Sequence, residues 1–299
     1  MTTRRRMLTV LAGAALLPVV GANARANTRQ WRGVALGAEA RIILDHPRAD
    51  ALIGAALQEI HRLEAIFSLY LPDSQLSRLN RDGVLNNPAF EMIELLSICS
   101  GLNARTGGIF DPTVQPLWAL YAQAYSAGRK PGEAQISRAM ELTGWNHVVF
   151  SPDRISFGRA GVQLTLNGIA QGYIADKVVG LFRANRVRDV LVNTGEIAAL
   201  GRGPDGQAWQ IKPAGSTASS VSLRDRAIAT SRPLGTAFDP AGQVGHILHP
   251  KSGNPGGRWS QVSVISGSAA DADGLSTAFC LMSRDQIEAA KGDANVLLV

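Results

Sequence analysis

Asp273 and Thr277 stand four residues apart in the stretch Ala272-Asp273-Gly274-Leu275-Ser276-Thr277-Ala278. On a helix that spacing turns both side-chain oxygens to one face. A hard cation such as Mg²⁺ takes such oxygens, few of them from protein and the rest from water and phosphate. The same spacing also fits Asp273 as a helix N-cap and Thr277 as an ordinary helical threonine. Upstream, Leu164-Thr165-Leu166-Asn167-Gly168-Ile169-Ala170-Gln171-Gly172-Tyr173-Ile174-Ala175-Asp176 reads as a strand passing through a glycine-bearing turn into a helix. Such a junction offers free N–H groups to phosphate or turn carbonyls to a metal. It equally fits a plain turn capped by Asn167. It carries neither the Gly-Lys-Ser/Thr of a Walker loop nor the dinucleotide fingerprint. His246 and His249 form His-x-x-His, but no third nitrogen or sulfur ligand accompanies them, which argues against zinc.

Two more stretches are richer than a scaffold requires. In Thr106-Gly107-Gly108-Ile109-Phe110-Asp111-Pro112-Thr113-Val114, paired glycines after a helix let backbone approach a ligand, with Asp111 and Thr113 as contacts. A helix C-cap followed by an Asp-Pro turn reads the same way. In the segment from Phe67 to Asn80, Tyr70 lies beside Pro72 and offers a flat face to a planar ligand. The competing reading is a core tyrosine before a helix capped at Asp73 or Ser74.

The elements that position these residues follow from periodicity. Trp31 to Leu44 alternates weakly and predicts a strand. Leu52, Ile53, Ala56, Leu57, Ile60, Leu63 and Ile66 predict a helix over residues 48–67. Further helices are expected over 88–104, 113–127, 133–142, 168–184, 273–282 and 285–290, with a short helical turn near residue 80. Short strands are expected over 148–150, 155–157, 162–166, 190–193, 197–200, 209–212, 219–223, 227–230, 262–265 and 296–299. A helix-rich first half and a β-rich second half predict an α+β fold in a single compact unit.

Composition sets the class. The chain has 299 residues, 45% hydrophobic and 18% charged, with mean hydropathy +0.03, which excludes a disordered tail protein. After residue 26 no run approaches the ~20 apolar residues of a membrane span. Residues 1–26 comprise a basic start, an apolar stretch from Leu8 to Val20, and a small-residue end with Ala24-x-Ala26 as cleavage site. This is the anatomy of an export signal, and Thr-Arg-Arg-x-Met-Leu resembles the twin-arginine type, the alternative being a general secretory signal that happens to carry arginines. The mature chain, residues 27–299, is expected to be soluble and periplasmic. Formal charge is +6. Removing Arg4, Arg5, Arg6 and Arg25 leaves 6 − 4 = +2, too little to argue for nucleic acid. Cys99 and Cys280 are too few for a disulfide framework and read as buried free thiols.

Taken in order, these stretches resemble the ApbE family of periplasmic FAD:protein FMN transferases. The motifs are Leu36-Gly37-Ala38, the Ser-x-Tyr and Ser-x-Leu-Asn loop from Ser68 to Asn80, Thr-Gly-Gly-x-Phe-Asp-Pro-Thr-Val, and Gly-Ile-Ala-x-Gly-Tyr. They continue through Leu191-Val192-Asn193-Thr194-Gly195-Glu196, Ile228-Ala229-Thr230-Ser231, His-Ile-x-x-Pro-x-Ser-Gly and Asp-Gly-Leu-Ser-Thr-Ala. The resemblance implies an ApbE-like, T-fold-related domain that uses FAD as substrate and Mg²⁺ as cofactor. It further implies a flavoprotein acceptor whose threonine or serine hydroxyl receives FMN while AMP leaves. It places the metal at the Gly168 carbonyl, Asp273 and Thr277, and makes His246 the base. It puts Leu36, Tyr70, Ile109, Phe110, Asp111, Thr165, Gln171 and Leu248 around FAD. Thr165, Gln171 and His249 depart from the charged residues the family often carries there. Those departures keep open a flavin-delivery protein without turnover, and a separate alternative is a Mg²⁺-dependent FAD pyrophosphatase using water as acceptor. The leader together with Asn-Gly-Ile-Ala-Gln-Gly resembles the branch serving nitrous oxide or nitrite respiration, whose acceptor is a membrane-bound flavoprotein regulator.

Overall fold

The apolar repeat predicted over residues 48–67 is the buried face of helix α1 (Ala49–Phe67), carrying Leu52, Ile53, Ala56, Ile60, Leu63 and Ile66 into the core. Burying each of these leucine and isoleucine side chains contributes about 1.5–3 kcal/mol. The computed structural model describes residues 28–35, 37–213 and 220–299. The leader expected over residues 1–26 and the proposed FAD contact Leu36 lie outside the described residues. Helix α2 (Gln75–Asp82) begins at Ser74, whose hydroxyl accepts the Ser77 amide, and ends at Gly83 in the left-handed region. Helices α3 (Phe90–Arg105), α4 (Gln115–Ser126) and α5 (Glu133–Met140) complete the first half.

The single strand expected over residues 31–44 is instead a hairpin. Strands β1 (Thr28–Ala35) and β2 (Ala38–Asp45) pair antiparallel along their whole length. Gly37, at φ 75°, supplies the turn conformation that a side chain resists. The segment Val84–Asn86, where no strand was expected, forms β3. It pairs with β5 (Arg154–Phe157), which pairs with β4 (Val148–Ser151).

The second half supplies α6 (Ala170–Ala184), β6 (Val190–Asn193), β7 (Ile197–Leu200), β8 (Trp209–Ile211), β9 (Val221–Leu223), β10 (Arg226–Ser231) and β11 (Val262–Ser266). Helices α7 (Ala269–Phe279) and α8 (Arg284–Ala290) follow, and then β12 (Asn295–Leu298). Seven strands form one antiparallel sheet in the order β1-β2-β6-β7-β10-β11-β12. The N-terminal hairpin thus completes an edge of a sheet built mainly by the second half. Strands β6, β7 and β11 are buried at every position. One face packs on α1, α6 and α7, with α3 against α1 and α7. The other carries Ile43, Leu191, Ile197 and Ile228 under the β8–β9 hairpin. The fold is α+β in a single domain, as expected. Cys99 and Cys280 are buried and free.

Residues 162–166, where a strand was expected, join no sheet. Their backbone groups are satisfied elsewhere. The Asn80 side chain accepts from Leu164 N at 2.7 Å and donates to Leu164 O at 2.8 Å, and Thr165 N donates to Pro112 O at 2.8 Å. A side chain 84 residues away in sequence thus replaces the neighbouring strand, which local pattern cannot reveal.

Candidate active site

Helix α7 starts four residues earlier than its apolar spacing suggests, because Ser268 caps it by accepting the Asp271 amide. Asp273 is therefore an interior helical residue, not the cap of its own helix. Its carboxylate instead accepts the backbone N–H of Gly172 at 3.1 Å, in the first turn of α6. Asn167 does not cap α6. Ile169 occupies that position without a side-chain bond, so the helix that runs beside α6 supplies the acceptor. The approach is close: a Cβ on Gly172 would stand 2.2 Å from Ala269 O. One turn further, a Cβ on Gly168 would stand 3.0 Å from Thr277 Oγ1. The strand-to-helix corner and the Asp273–Thr277 face thus meet. Ser231 of β10 lies against the same face, with its hydroxyl 2.7 Å from Ser276 Oγ and 3.3 Å from Thr277 Oγ1.

Asp273 is 3% exposed and makes no ion pair among the described residues. Burial pushes its carboxyl up to about 7. Glu196, at the β6–β7 turn, is also 3% exposed. Burial and then the Asp273 charge hold its carboxyl well above the usual range, against the Thr230 N–H that its Oε2 accepts at 3.1 Å. Two buried acids without a cationic side chain between them form an electrostatic deficit that a cation would relieve. The Gly168 carbonyl, the Asp273 carboxylate and the Thr277 hydroxyl are all oxygen donors, the set a hard divalent ion accepts. The residues present therefore fit Mg²⁺.

The β6–β7 turn is anchored to α6. Thr194 Oγ1 donates to Gln171 O at 3.0 Å, and Asn193 Oδ1 accepts from Gly195 N at 2.9 Å. Gly195 sits at φ 108°, where a Cβ would fall 2.5 Å from the Gln171 side chain. The Gln171 amide group is thereby pressed beneath the turn that presents Glu196.

His246 is held by a strap of chain. Its Nδ1 lies 2.9 Å from Thr236 O, and its own N–H donates to the same carbonyl at 3.1 Å. A carbonyl only accepts, so Nδ1 carries the proton and the neutral ring keeps its lone pair on Nε2. Burial lowers the imidazole pKa below its usual value, and the Thr236 and Pro233 carbonyls oppose that shift without overcoming it. The ring is thus neutral at physiological pH.

One cavity collects these groups. Ile109, Phe110, Asp111, Thr165, Gly168, Gln171, His246, Leu248, Asp273 and Thr277 all line it. Phe110 is fixed by its backbone, whose N–H donates to Thr106 Oγ1 and whose carbonyl accepts from Asn103. Asp111 also has a structural task, accepting the Thr113 N–H and hydroxyl at 2.9 and 2.6 Å. Tyr70 is 57% exposed and is not among the lining residues. Trp118 and Arg232 line the cavity without having been singled out from sequence, and Glu196, Thr230 and Ser231, quoted only as parts of two motifs and given no site role, line it as well. Glu196 was legible only as the end of the Leu191–Glu196 motif, a glycine-bearing turn between two buried strands.

A largely apolar cavity that holds a few oxygen donors beside a buried neutral imidazole can serve group transfer to or from a phosphate-bearing substrate. The chain belongs to the ApbE family, whose model matches residues 36–297. It is 30% identical over 228 residues to a protein of Chlamydia pneumoniae named FAD:protein FMN transferase, covering 73% of this chain and 72% of that one. A Vibrio cholerae protein of the same name is 27% identical over 298 residues, covering 93% and 88%. The crystal structure of the Pseudomonas stutzeri flavinyl transferase ApbE in its apo form superposes with a TM-score of 0.80 at 30% identity, covering 91% of this chain and 90% of that one.

Proposed function

We propose that this chain is an FAD:protein FMN transferase that moves FMN from FAD to a threonine or serine hydroxyl of a flavoprotein acceptor. The acceptor oxygen forms a bond to the FMN phosphorus, the pyrophosphate P–O bond breaks, and AMP leaves. His246 takes the acceptor's hydroxyl proton. Its neutral, buried ring and a fixed Nδ1 tautomer suit that task. Gly168, Asp273 and Thr277 would hold Mg²⁺, which neutralises charge on the diphosphate when bound. Ile109, Phe110 and Leu248 provide apolar walls for FAD, with Thr165 and Gln171 as uncharged polar contacts. Tyr70, on its exposed loop, and Leu36 are assigned to the flavin by resemblance. The export leader would place the reaction in the periplasm by the twin-arginine route, with a membrane-bound respiratory flavoprotein as acceptor.

The observation that carries this reading is the meeting of Gly168, Asp273, Thr277 and His246 around one cavity. The test uses purified protein, FAD, Mg²⁺ and an acceptor domain bearing the target threonine. Fluorescent flavin that stays on the acceptor in a denaturing gel, and is absent with Asp273→Ala, supports transfer. AMP and FMN without labelling would instead identify hydrolysis, and neither product would leave a binding protein.

A further inference from the structure

Helix α6, together with the corner that leads into it, meets α7 at three levels, each about one helical turn from the next. Gly168 faces Thr277, Gly172 faces Asp273, and Asp176 faces Ala269 and Ala270. The steps are four residues up one helix and about four down the other, so the levels form a ladder. The first two carry the proposed cation ligands. The third carries none, yet it is the most heavily bonded.

Asp176 Oδ1 accepts the Ala269 N–H at 2.8 Å. Its Oδ2 accepts the Ala270 N–H at 3.0 Å and the Ser268 hydroxyl at 2.8 Å. Ser268 also accepts the Asp271 N–H at 3.2 Å. The first three amides of α7 are thus engaged by Asp176 and Ser268, with a carboxylate at the positive end of the helix. The relation with Asp273 is reciprocal. An acid on α6 caps α7, and an acid on α7 receives an amide from the first turn of α6. Neither helix can slide along the other without breaking bonds at both levels, and at Gly172 the helices approach so closely that no Cβ fits beside Ala269 O.

We propose that Asp176 is a positioning residue for cation binding. It fixes the axial register of α7 against α6, and so the placement of Asp273 and Thr277 around the Gly168 carbonyl. This rests on the flavin-transfer reading for the identity of the cation, but not for the register itself. Supporting groups behind a metal ligand typically govern affinity by 10- to 100-fold.

The test measures cation affinity directly, without FAD or turnover. Tb³⁺ luminescence, with Mg²⁺ as competitor, is titrated into the wild-type chain, Asp176→Asn, Ser268→Ala and Asp273→Ala. Asn keeps one acceptor oxygen but turns an NH₂ toward an amide, so Asp176→Asn should weaken Mg²⁺ by at least about tenfold. Ser268→Ala removes one of the three bonds to Asp176, together with the Asp271 N–H cap, but keeps both Asp176 bonds to the α7 amides and should weaken it less. Thermal unfolding in chelator separates the alternatives: a merely structural role lowers Tm and leaves the folded protein's affinity unchanged. Should Asp176→Asn fail to fold, Ser268→Ala carries the measurement by itself. Unchanged Mg²⁺ affinity in whichever of these variants is folded overturns the inference. A wild-type chain whose Tb³⁺ signal matches that of Asp273→Ala overturns the cation site itself, and the inference with it.

Discussion

Gly168 lies so near Thr277 that a Cβ on the glycine would stand 3.0 Å from the threonine hydroxyl oxygen and 3.2 Å from its methyl carbon. The contact ties the strand-to-helix corner to the acidic helix more than a hundred residues later. Alanine at 168 pushes both terminal atoms of Thr277 by a few tenths of an ångström, and its easiest escape is a χ1 rotation away from the corner. Gly168→Ala should therefore fold and bind FAD, but need a higher Mg²⁺ concentration for half-maximal labelling. Labelling titrated with Mg²⁺ checks this, and an unaltered Mg²⁺ dependence would remove Thr277 from the ligand set.

Asp273 links the site to stability. Its carboxyl titrates near 7 in the cation-free fold against 3.8 unfolded. The native state then binds more protons than the unfolded state between those values. The favourable contribution is complete below about pH 4 and is lost as pH rises through 7. Asp273→Asn keeps an acceptor for Gly172 N–H and removes the charge. In chelator at pH 8 the variant should be more stable than wild type by on the order of 2–4 kcal/mol, shrinking towards pH 5. Saturating Mg²⁺ should reverse the order by binding wild type alone. Urea unfolding at both pH values, with and without Mg²⁺, tests all three statements.

The sequence made much of this legible, and the failures are local in kind. Asp273 and Thr277 could be paired from their spacing, and α1 and the buried strands β6 and β7 from apolar pattern. The start of α7 was obscured because Ala269, Ala270 and Ala272 carry almost no amphipathic signal. Glu196 was legible as the end of a motif but not as a site residue, because its significance lies in burial beside Asp273, on another element, and in the Thr230 amide it accepts. The same holds for Asn80, whose side chain bonds a segment that otherwise looks like a strand. Tertiary partners decide such residues, and one-dimensional spacing carries no record of them.

Glu196 yields its own prediction. Glu196→Gln retains an oxygen for the Thr230 N–H, so the β6–β7 turn should persist. It removes one of the two negative charges that burial makes costly. Labelling at limiting Mg²⁺ should fall by roughly 10- to 100-fold and recover towards wild type as Mg²⁺ is raised. A drop that excess Mg²⁺ does not repair would assign Glu196 to FAD or to the acceptor instead.

His246 sets the acidic limb of the pH profile. Burial depresses its pKa, so the ring stays neutral below the pH at which an ordinary histidine protonates. Stability from this group is present above about pH 6.5, the unfolded value, and is lost as pH falls through the lower native value. The acidic limb of kcat/KM should accordingly lie below pH 6.5. His246→Ala should cut transfer by about 10²- to 10⁴-fold and abolish that limb, while FAD binding followed by flavin fluorescence is retained. His246→Gln probes the strap separately, since an amide NH₂ can still donate to Thr236 O. Equal loss in both variants assigns the effect to proton transfer. Recovery in Gln would mean that the strap, and not the imidazole base, is what turnover requires.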